Sequence, residues 1–267
     1  METPVLAYRD LEASYGGACV LHGVSAQVFP GQVLGIVGES GSGKTTLLRA
    51  AMGLLGPAGQ VVSGGIEYRD AEGGAIDLAR APERQLRALR GVRLGMVFQD
   101  SLASLAPIRR VRDQFLDAAR PAGETRARAL QRAGECLSRL NVDDPDRVLE
   151  SRPFELSGGL AQRVGIALAL MPRPRVLLAD EPTSALDAVS QKLVVAELAR
   201  AAREEGAAIV LVTHNMGVVR ALADSLAVLK GGAVVEQGSA RQVLEAPEHP
   251  YTRELLDAVP VLEGRAR

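Results

Sequence analysis

The chain has 267 residues, of which 47% are hydrophobic and 24% are charged, and its formal net charge at pH 7 is -1. This balance is typical of a folded protein, and the length allows one large α/β domain or two small ones. A near-neutral charge gives no global reason to expect nucleic acid as a partner. The N-terminus lacks a secretory pattern, and no apolar run approaches the roughly 20 residues of a membrane span. We therefore expect an intracellular protein whose membrane contacts, if it has them, go through other subunits.

The two cysteines, Cys19 and Cys136, lie far apart in the sequence. This arrangement suits reduced thiols better than a disulfide framework or a cysteine-based metal cluster. We interpret both as small hydrophobic residues of the core.

The first third of the chain alternates short apolar stretches, such as residues 33–37, with turn residues, and this pattern predicts β-strands. Residues 63–74 are expected to separate another pair of short strands, and residues 81–89 are predicted to be helical. From residue 111 to 140, apolar residues recur at helical spacing among many arginines and glutamates, which predicts an inserted helical subdomain.

The second half of the chain carries the pattern of a parallel α/β core. Two strongly apolar runs, 176–180 and 207–213, flank an amphipathic helix near residues 189–204. The segment from about 225 to 260 predicts two more short strands and one helix. The predicted core is therefore discontinuous in sequence.

Residues 38–45 match the phosphate-loop pattern G-x-x-x-x-G-K-[ST] between a predicted strand and a predicted helix. In such a loop the backbone amides surround phosphate at a helix N-terminus, Lys44 can reach the β- and γ-phosphate oxygens, and the Thr45 hydroxyl can bind Mg²⁺. The segment therefore predicts a site for ATP with Mg²⁺, to which we assign Gly38, Glu39, Ser40, Gly41, Ser42, Gly43, Lys44, Thr45 and Thr46.

Asp180 and Glu181 directly follow the apolar run 176–180, where a buried strand would deliver them to the edge of the sheet. Asp180 is suited to hold Mg²⁺, usually through water, and to complete the ATP site. Glu181 is suited to polarise the water that attacks the γ-phosphate. Without the phosphate loop, an ordinary acidic turn would be the better interpretation.

The segment Leu156-Ser157-Gly158-Gly159-Leu160-Ala161-Gln162-Arg163 resembles the signature motif of ABC ATPases. Ser157 is a good helix N-cap, and Gly158 and Gly159 expose backbone amides at the positive end of a helix dipole. In this family the signature of one subunit faces the phosphate loop of another. The resemblance therefore implies a dimer with two composite sites, in which Ser157, Gly158 and Gly159 contact nucleotide bound to the partner.

Further residues stand where the resemblance expects them. Tyr15 resembles the aromatic residue that stacks on adenine, and residues 184–187 resemble the D-loop at the dimer interface. Gln99 resembles the Q-loop glutamine that contacts Mg²⁺ or the attacking water. His214 resembles the switch histidine that contacts the γ-phosphate. Glu181, His214 and Gln99 are thus the predicted catalytic residues, and Thr45, Gln99 and Asp180 are the predicted metal ligands.

The resemblance implies an α/β fold with a P-loop NTPase (RecA-like) core, an antiparallel β subdomain and an inserted α-helical signature subdomain. The whole chain, 1–267, is then one nucleotide-binding domain. We assign residues 1–98 and 173–230 to the core with its β subdomain, 99–172 to the helical subdomain and 231–267 to a C-terminal extension.

Two segments resemble the branch of the family that imports peptides and nickel. The stronger one is His249-Pro250-Tyr251-Thr252-Arg253-Glu254-Leu255-Leu256, similar to the C-terminal motif of that branch. The other is the extended Q-loop at 98–107, where Ser101 and Ala106 replace the usual Pro and Asn. No cysteine follows Cys136, so we expect no iron-sulfur cluster of the kind found in some members of the branch.

The resemblance implies an ATPase that energises an importer for peptides, nickel or metal-chelate complexes from the cytoplasmic face of the membrane. Its expected partners are a second ATP-binding subunit, more often a different one than a copy, two transmembrane permease subunits and an extracellular or periplasmic binding protein. Two alternatives stay open. One is an accessory ATPase of a soluble complex such as carbon-phosphorus lyase, and the other is a non-transport ABC ATPase of DNA repair or translation.

Arg109, Arg110 and Arg112 follow the Q-loop, in the region where members of this family meet the coupling helix of a membrane subunit. A solvated basic surface explains these arginines equally well.

Overall fold

A computed structural model describes residues 3–258 of the chain. Within them the strands are β1 (Leu6–Tyr15), β2 (Ala18–Val28), β3 (Val33–Val37), β4 (Gly59–Arg69), β5 (Ala75–Asp77), β6 (Leu94–Val97), β7 (Val176–Asp180), β8 (Ala208–Val212), β9 (Ser225–Lys230) and β10 (Ala233–Ser239). The α-helices are α1 (Lys44–Ala51), α2 (Glu83–Leu89), α3 (Ser101–Ser104), α4 (Val111–Ala119), α5 (Arg126–Arg139), α6 (Pro145–Glu150), α7 (Gly158–Leu170), α8 (Ala188–Arg203), α9 (Met216–Leu222), α10 (Ala240–Glu245) and α11 (Pro250–Asp257).

The strands form two sheets. The core sheet has the order β10-β9-β3-β8-β7-β6, in which β9, β3, β8, β7 and β6 run parallel and β10 is antiparallel to β9. The second sheet has the order β2-β1-β4-β5 and is antiparallel throughout. This is the predicted α/β fold, with a P-loop NTPase core and an antiparallel β subdomain.

The parallel strands at the centre of the core sheet are apolar along their whole length because both faces are covered. Every residue of β3, β7 and β8 is buried, as expected for a parallel sheet with layers on both sides. One face packs against α1 and the antiparallel sheet, and the other packs against α5, α7 and α8. The carboxyl ends of the strands consequently meet at one edge.

Five α-helices, α3 to α7, lie between β6 and β7 and form the predicted inserted helical layer. Their starts follow local sequence rules. Asp100, Thr125, Asp144 and Ser157 each accept a hydrogen bond from a backbone amide in the first turn of the following helix. The α7 start is the signature segment, so its glycines sit at an exposed helix N-terminus.

Three expectations from the sequence were wrong or incomplete. Cys136 is buried as predicted, but Cys19 is exposed, because it stands beside the Gly16-Gly17 turn where β2 projects beyond the core. The segment after residue 225 contains two helices, α10 and α11, where one was expected. Residues 63–69 continue one long strand, β4, so only β5 is short.

The assigned C-terminal extension begins inside the β9–β10 hairpin, so its first strand is part of the core sheet. Its two helices pack on a small hydrophobic cluster that also includes Val37, the last residue of β3. The extension therefore adjoins the strand that leads into the phosphate loop. Within residues 3–258, no helix is long and apolar enough to cross a membrane.

Candidate nucleotide-binding site

Four neighbouring strands deliver the predicted catalytic residues to one edge of the core sheet. The phosphate loop follows β3, Gln99 follows β6, Asp180 ends β7 and His214 lies just beyond β8. These ends surround a cleft of about 460 Å³. The predicted residues that line it are Gly38, Ser40, Gly41, Gly43, Lys44, Thr45, Thr46, Gln99, Asp180, Glu181 and His214.

The phosphate loop closes tightly between β3 and α1 and depends on glycine at two points. Gly38 has φ of +152°, and a Cβ there would lie 2.1 Å from the carbonyl oxygen of Leu229. Gly43 caps α1 with φ of +99°, and a Cβ there would lie 2.6 Å from the Leu21 side chain. Only glycine fits this conformation and spacing.

Lys44 lies inside the loop rather than in solvent. Its ammonium group donates hydrogen bonds to the carbonyl oxygens of Gly38 at 2.8 Å and Glu39 at 2.6 Å. Burial lowers the pKa of Lys44, and the nearby carboxylates of Glu181 and Asp180 oppose this change. The cleft therefore holds a partly desolvated cation whose interaction with an anion is stronger than it would be in water.

Asp180 and Thr45 pair two oxygen atoms at the floor of the cleft. The Thr45 hydroxyl donates to Asp180 Oδ1 over 3.2 Å. Burial raises the pKa of Asp180, and this hydrogen bond acts in the opposite direction. The two side chains come from different elements, α1 and β7, and together they form a hard-oxygen site.

Glu181 is held in a strained backbone conformation next to His214. Its φ is +48°, in the left-handed region that residues other than glycine rarely adopt. The backbone amide of Glu181 donates to Val212 at 2.9 Å, and its carboxylate Oε1 lies 2.8 Å from His214 Nδ1. The Glu181 side chain is 11% exposed and that of His214 is 74% exposed. Such local strain, of order 1–3 kcal/mol, is found most often at functional sites.

Several predicted residues lie outside the cleft lining. Tyr15 ends β1, and its ring packs against the backbone of Gly59. Glu39 and Ser42 belong to the phosphate loop but do not line the cavity; Ser42 is buried. Ser157, Gly158 and Gly159 stand at the N-terminus of α7, where Ser157 Oγ accepts from the Leu160 amide at 3.3 Å. The signature therefore does not line the cleft beside its own phosphate loop.

Two lining residues, Val20 and Val212, were not anticipated from the sequence. Val20 lies on β2 and supplies an apolar wall from the antiparallel sheet, while Val212 is the last residue of β8. No motif marks either residue. Their contribution depends on how the two sheets pack together.

Residues 21–184 match the family model described as "ABC transporter". The chain belongs to the ABC transporter ATPase family. A second model, described as "Oligopeptide/dipeptide transporter, C-terminal region", matches residues 235–267. This ABC protein is therefore an ATP-binding, ATP-hydrolysing enzyme that carries the C-terminal region of the oligopeptide/dipeptide branch.

Curated relatives match nearly the whole ABC chain. It is 39% identical over 267 residues to the probable D,D-dipeptide transport ATP-binding protein DdpD of Escherichia coli (strain K12), covering 97% of this chain and 80% of the relative. It is 40% identical over 238 residues to the dipeptide transport ATP-binding protein DppD of the same strain, covering 89% of this chain and 71% of the relative.

Among solved structures, the ABC chain resembles a dimeric post-hydrolysis state of the ATP-binding cassette MJ0796 bound to ADP and Pi. The TM-score is 0.77 at 26% identity, over 88% of this chain and 99% of the other. The predicted fold class is thereby confirmed.

Proposed function

We propose that this chain is the ATP-hydrolysing subunit that energises a peptide importer from the cytoplasmic face of the membrane. The observation that carries the proposal is the C-terminal region at 235–267, which matches the oligopeptide/dipeptide model. The names of DdpD and DppD, both dipeptide transport proteins, support the same cargo class. We favour peptides over nickel or metal chelates for this reason.

We assign three catalytic roles within the cleft. Glu181 polarises the water that attacks the γ-phosphate, His214 contacts the γ-phosphate, and Gln99 contacts Mg²⁺ or the attacking water. The loop 38–46 binds the phosphates through backbone amides and Lys44. The convergence of these groups on one 460 Å³ cavity supports the assignment.

The residues at the cleft floor fit Mg²⁺. Thr45 Oγ1 and Asp180 Oδ1 lie 3.2 Å apart, and Gln99 lines the same cavity. All three offer the oxygen ligands that Mg²⁺ prefers. When bound, Mg²⁺ would neutralise charge on the β- and γ-phosphate oxygens.

We propose that the working form pairs two ATP-binding subunits, with the signature of each completing the site of the other. The N-terminus of α7 supports this arrangement because Ser157 and Gly158 are exposed and do not line their own cleft. Exposed backbone amides at a helix N-terminus suit a phosphate brought by a partner. We favour a different subunit over a second copy, as is common in this branch.

An exposed apolar patch in the helical subdomain suits a permease contact. Leu102, Ile108 and Phe154 are 41%, 81% and 66% exposed. Arg152 Nε donates a hydrogen bond to the Ile108 carbonyl, which joins the segment before α4 to the segment after α6. The neighbouring arginines are less available for a partner, because Arg109 pairs with Asp117 and Arg110 pairs with Glu150. We infer that apolar contact dominates this surface.

Co-purification from native membranes tests the proposal. The wild-type chain is expected to retain multi-span subunits and a second ATP-binding subunit. The Ile108→Asp variant should lose the multi-span subunits, whereas Val62→Asp, which alters a side chain 55% exposed on β4, should keep them. Recovery of soluble lyase subunits or nucleic acid in place of membrane subunits would refute the importer assignment.

A further inference from the structure

The C-terminal motif at 249–256 reaches back to the phosphate loop. The backbone amide of Glu39, the second residue of that loop, donates a hydrogen bond to the Tyr251 hydroxyl over 2.8 Å. The two residues are 212 positions apart in the chain. The motif is thus in direct contact with the catalytic core, and ATP hydrolysis by itself does not explain why.

The residues around Tyr251 fix the start of α11. His249 caps the helix by accepting a hydrogen bond from the Tyr251 amide, and Pro250 occupies the first turn. The Glu236 carboxylate, on β10, accepts from the amides of Glu248 at 2.8 Å and His249 at 3.1 Å. The beginning of α11 is therefore tied to the core sheet on its N-terminal side.

Arg253 adds a second restraint to the same turn. Its guanidinium donates to the carbonyl oxygens of Pro247 and Glu248, each at 3.0 Å. Five hydrogen bonds thus hold the segment 247–251 in place, counting the two to Glu236, the two from Arg253 and the helix cap. Such restraints position the ring that follows them.

The Tyr251 side chain is buried in a small hydrophobic cluster. It is 7% exposed and belongs to the hydrophobic cluster that also contains Val37 and Val219. The Lys230 ammonium lies 4.4 Å from the centre of its ring, within cation–π range. The hydroxyl therefore has little freedom to leave Glu39.

The peptide group that joins Gly38 to Glu39 is held at both of its polar atoms. Tyr251 accepts from its N–H, and Lys44 donates to its C=O at 2.8 Å. If Lys44 leaves this carbonyl to bind phosphate, the hydrogen bond to the Tyr251 hydroxyl is the restraint that stays on the peptide. Gly38 cannot supply rigidity itself, because glycine is the residue with the most backbone freedom.

We propose that Tyr251 is a positioning residue for the phosphate loop, and that the C-terminal motif serves to fix its hydroxyl on the Glu39 amide. Without the hydroxyl, the hydrogen bond from Lys44 to the Gly38 carbonyl is the remaining side-chain restraint on the 38–39 peptide, and phosphate competes for that lysine. ATP binding must then order this peptide, which weakens affinity without altering the groups that act on the γ-phosphate.

Tyr251→Phe is the test because it removes only the hydroxyl, with Kd measured on the full-length chain and kcat on the complex that co-purifies with it. The Kd for Mg-ATP is expected to rise about 2- to 10-fold, the range of one hydrogen bond, while kcat changes less than twofold. The matched control is Tyr8→Phe, since Tyr8 is 2% exposed and its hydroxyl has no hydrogen-bond partner among residues 3–258. Tyr8→Phe should leave both constants unchanged.

Amide hydrogen exchange gives an independent readout, because exchange of the Glu39 amide should accelerate in Tyr251→Phe. The Tm measured without nucleotide should fall no further in Tyr251→Phe than in Tyr8→Phe. An unchanged Kd would overturn the proposal. A rise in Kd accompanied by a comparable fall in kcat and by a lower Tm would also overturn it. If Tyr251→Phe fails to fold, Glu236→Ala tests the same idea by releasing the start of α11, and it should also raise Kd with little change in kcat. A normal Kd in that variant would equally contradict the inference.

Discussion

The Glu181 carboxylate lies 2.8 Å from Nδ1 of His214, although the two residues follow different strands, β7 and β8. A hydrogen bond from the imidazole to an ionised carboxylate requires the proton on Nδ1, and the side chain of His214 is otherwise largely exposed. His214 therefore contacts the carboxylate oxygen of the residue that we propose polarises water. If His214 contacts the γ-phosphate as proposed, it must release this oxygen of Glu181.

Replacing Glu181 by Gln should abolish turnover while preserving ATP binding. The amide cannot accept a proton from water, so kcat is expected to fall at least about 100-fold, within the usual range for a general base. Steady-state ATPase assays of the assembled complex and nucleotide-binding measurements check this. Glu204→Gln, an exposed residue just beyond α8, is the matched control and should behave as wild type.

His214→Ala should lower kcat more than it raises the KM for ATP. It leaves the Glu181 carboxylate available but removes the proposed contact with the γ-phosphate, so we expect a loss of about 10²-fold in kcat. The same substitution at His22, which is exposed on β2, provides the control and should leave ATPase activity intact. Full activity in His214→Ala would remove this residue from the mechanism.

Asp180→Asn should stabilise the nucleotide-free protein and inactivate the enzyme. The folded-state pKa of Asp180 is raised, so the folded chain binds a proton more tightly than the unfolded chain does. This contribution is present at low pH and is lost as pH rises through the folded pKa. At neutral pH the buried charge is therefore unfavourable, and a neutral amide should raise Tm by a few degrees.

Thermal unfolding without nucleotide at pH 7, with Asp257→Asn as the exposed control, measures that effect. Mg-dependent ATPase activity should be lost in the same Asp180→Asn protein. A lower Tm would contradict the prediction that the buried charge of Asp180 is unfavourable.

A buried ion pair joins the helical layer to helix α8. The Glu197 side chain, 6% exposed, accepts from Arg139 of α5 and from Arg200. Although burial alone would raise the pKa of Glu197, bonds from Arg200 and Arg139 lower it overall. Glu197→Ala leaves Arg139 without its carboxylate partner, whereas Arg200 keeps its ion pair with Glu205. The substitution should cost about 2 kcal/mol in the free energy of unfolding.

The pH dependence of stability provides the companion measurement. Because the folded pKa of Glu197 is depressed, its stabilisation is present above the unfolded pKa and disappears as pH falls through the folded value. The wild type should therefore lose stability in acid more steeply than Glu197→Gln. Parallel stability curves for the two proteins would contradict the assigned ion pair.

The convergence of the motifs could be predicted because it depends on one rule of parallel sheets. Apolar runs ending in Asp180 and His214 indicated buried strands, and strand ends in such a sheet share an edge. The phosphate-loop pattern then identified that edge as the nucleotide site. Local rules were also sufficient for the signature helix, whose start Ser157 marks.

Contacts between distant segments could not be predicted in the same way. The wall provided by Val20 depends on how the antiparallel sheet packs on the core, and the hydrogen bond from Glu39 to Tyr251 joins segments 212 residues apart. The exposure of Cys19 likewise follows from where β2 leaves the core rather than from its apolar character. These features belong to tertiary packing, which periodicity does not encode.

ATP-driven uptake of a labelled dipeptide into vesicles tests the central claim most directly. The vesicles would contain the permease and ATPase subunits that co-purify with this chain, together with the binding protein, and would carry either wild-type chain or Glu181→Gln. We predict ATP-dependent accumulation with the wild type and background uptake with the variant. Equal uptake with both proteins, or no ATP-dependent uptake with the wild type, would contradict the account.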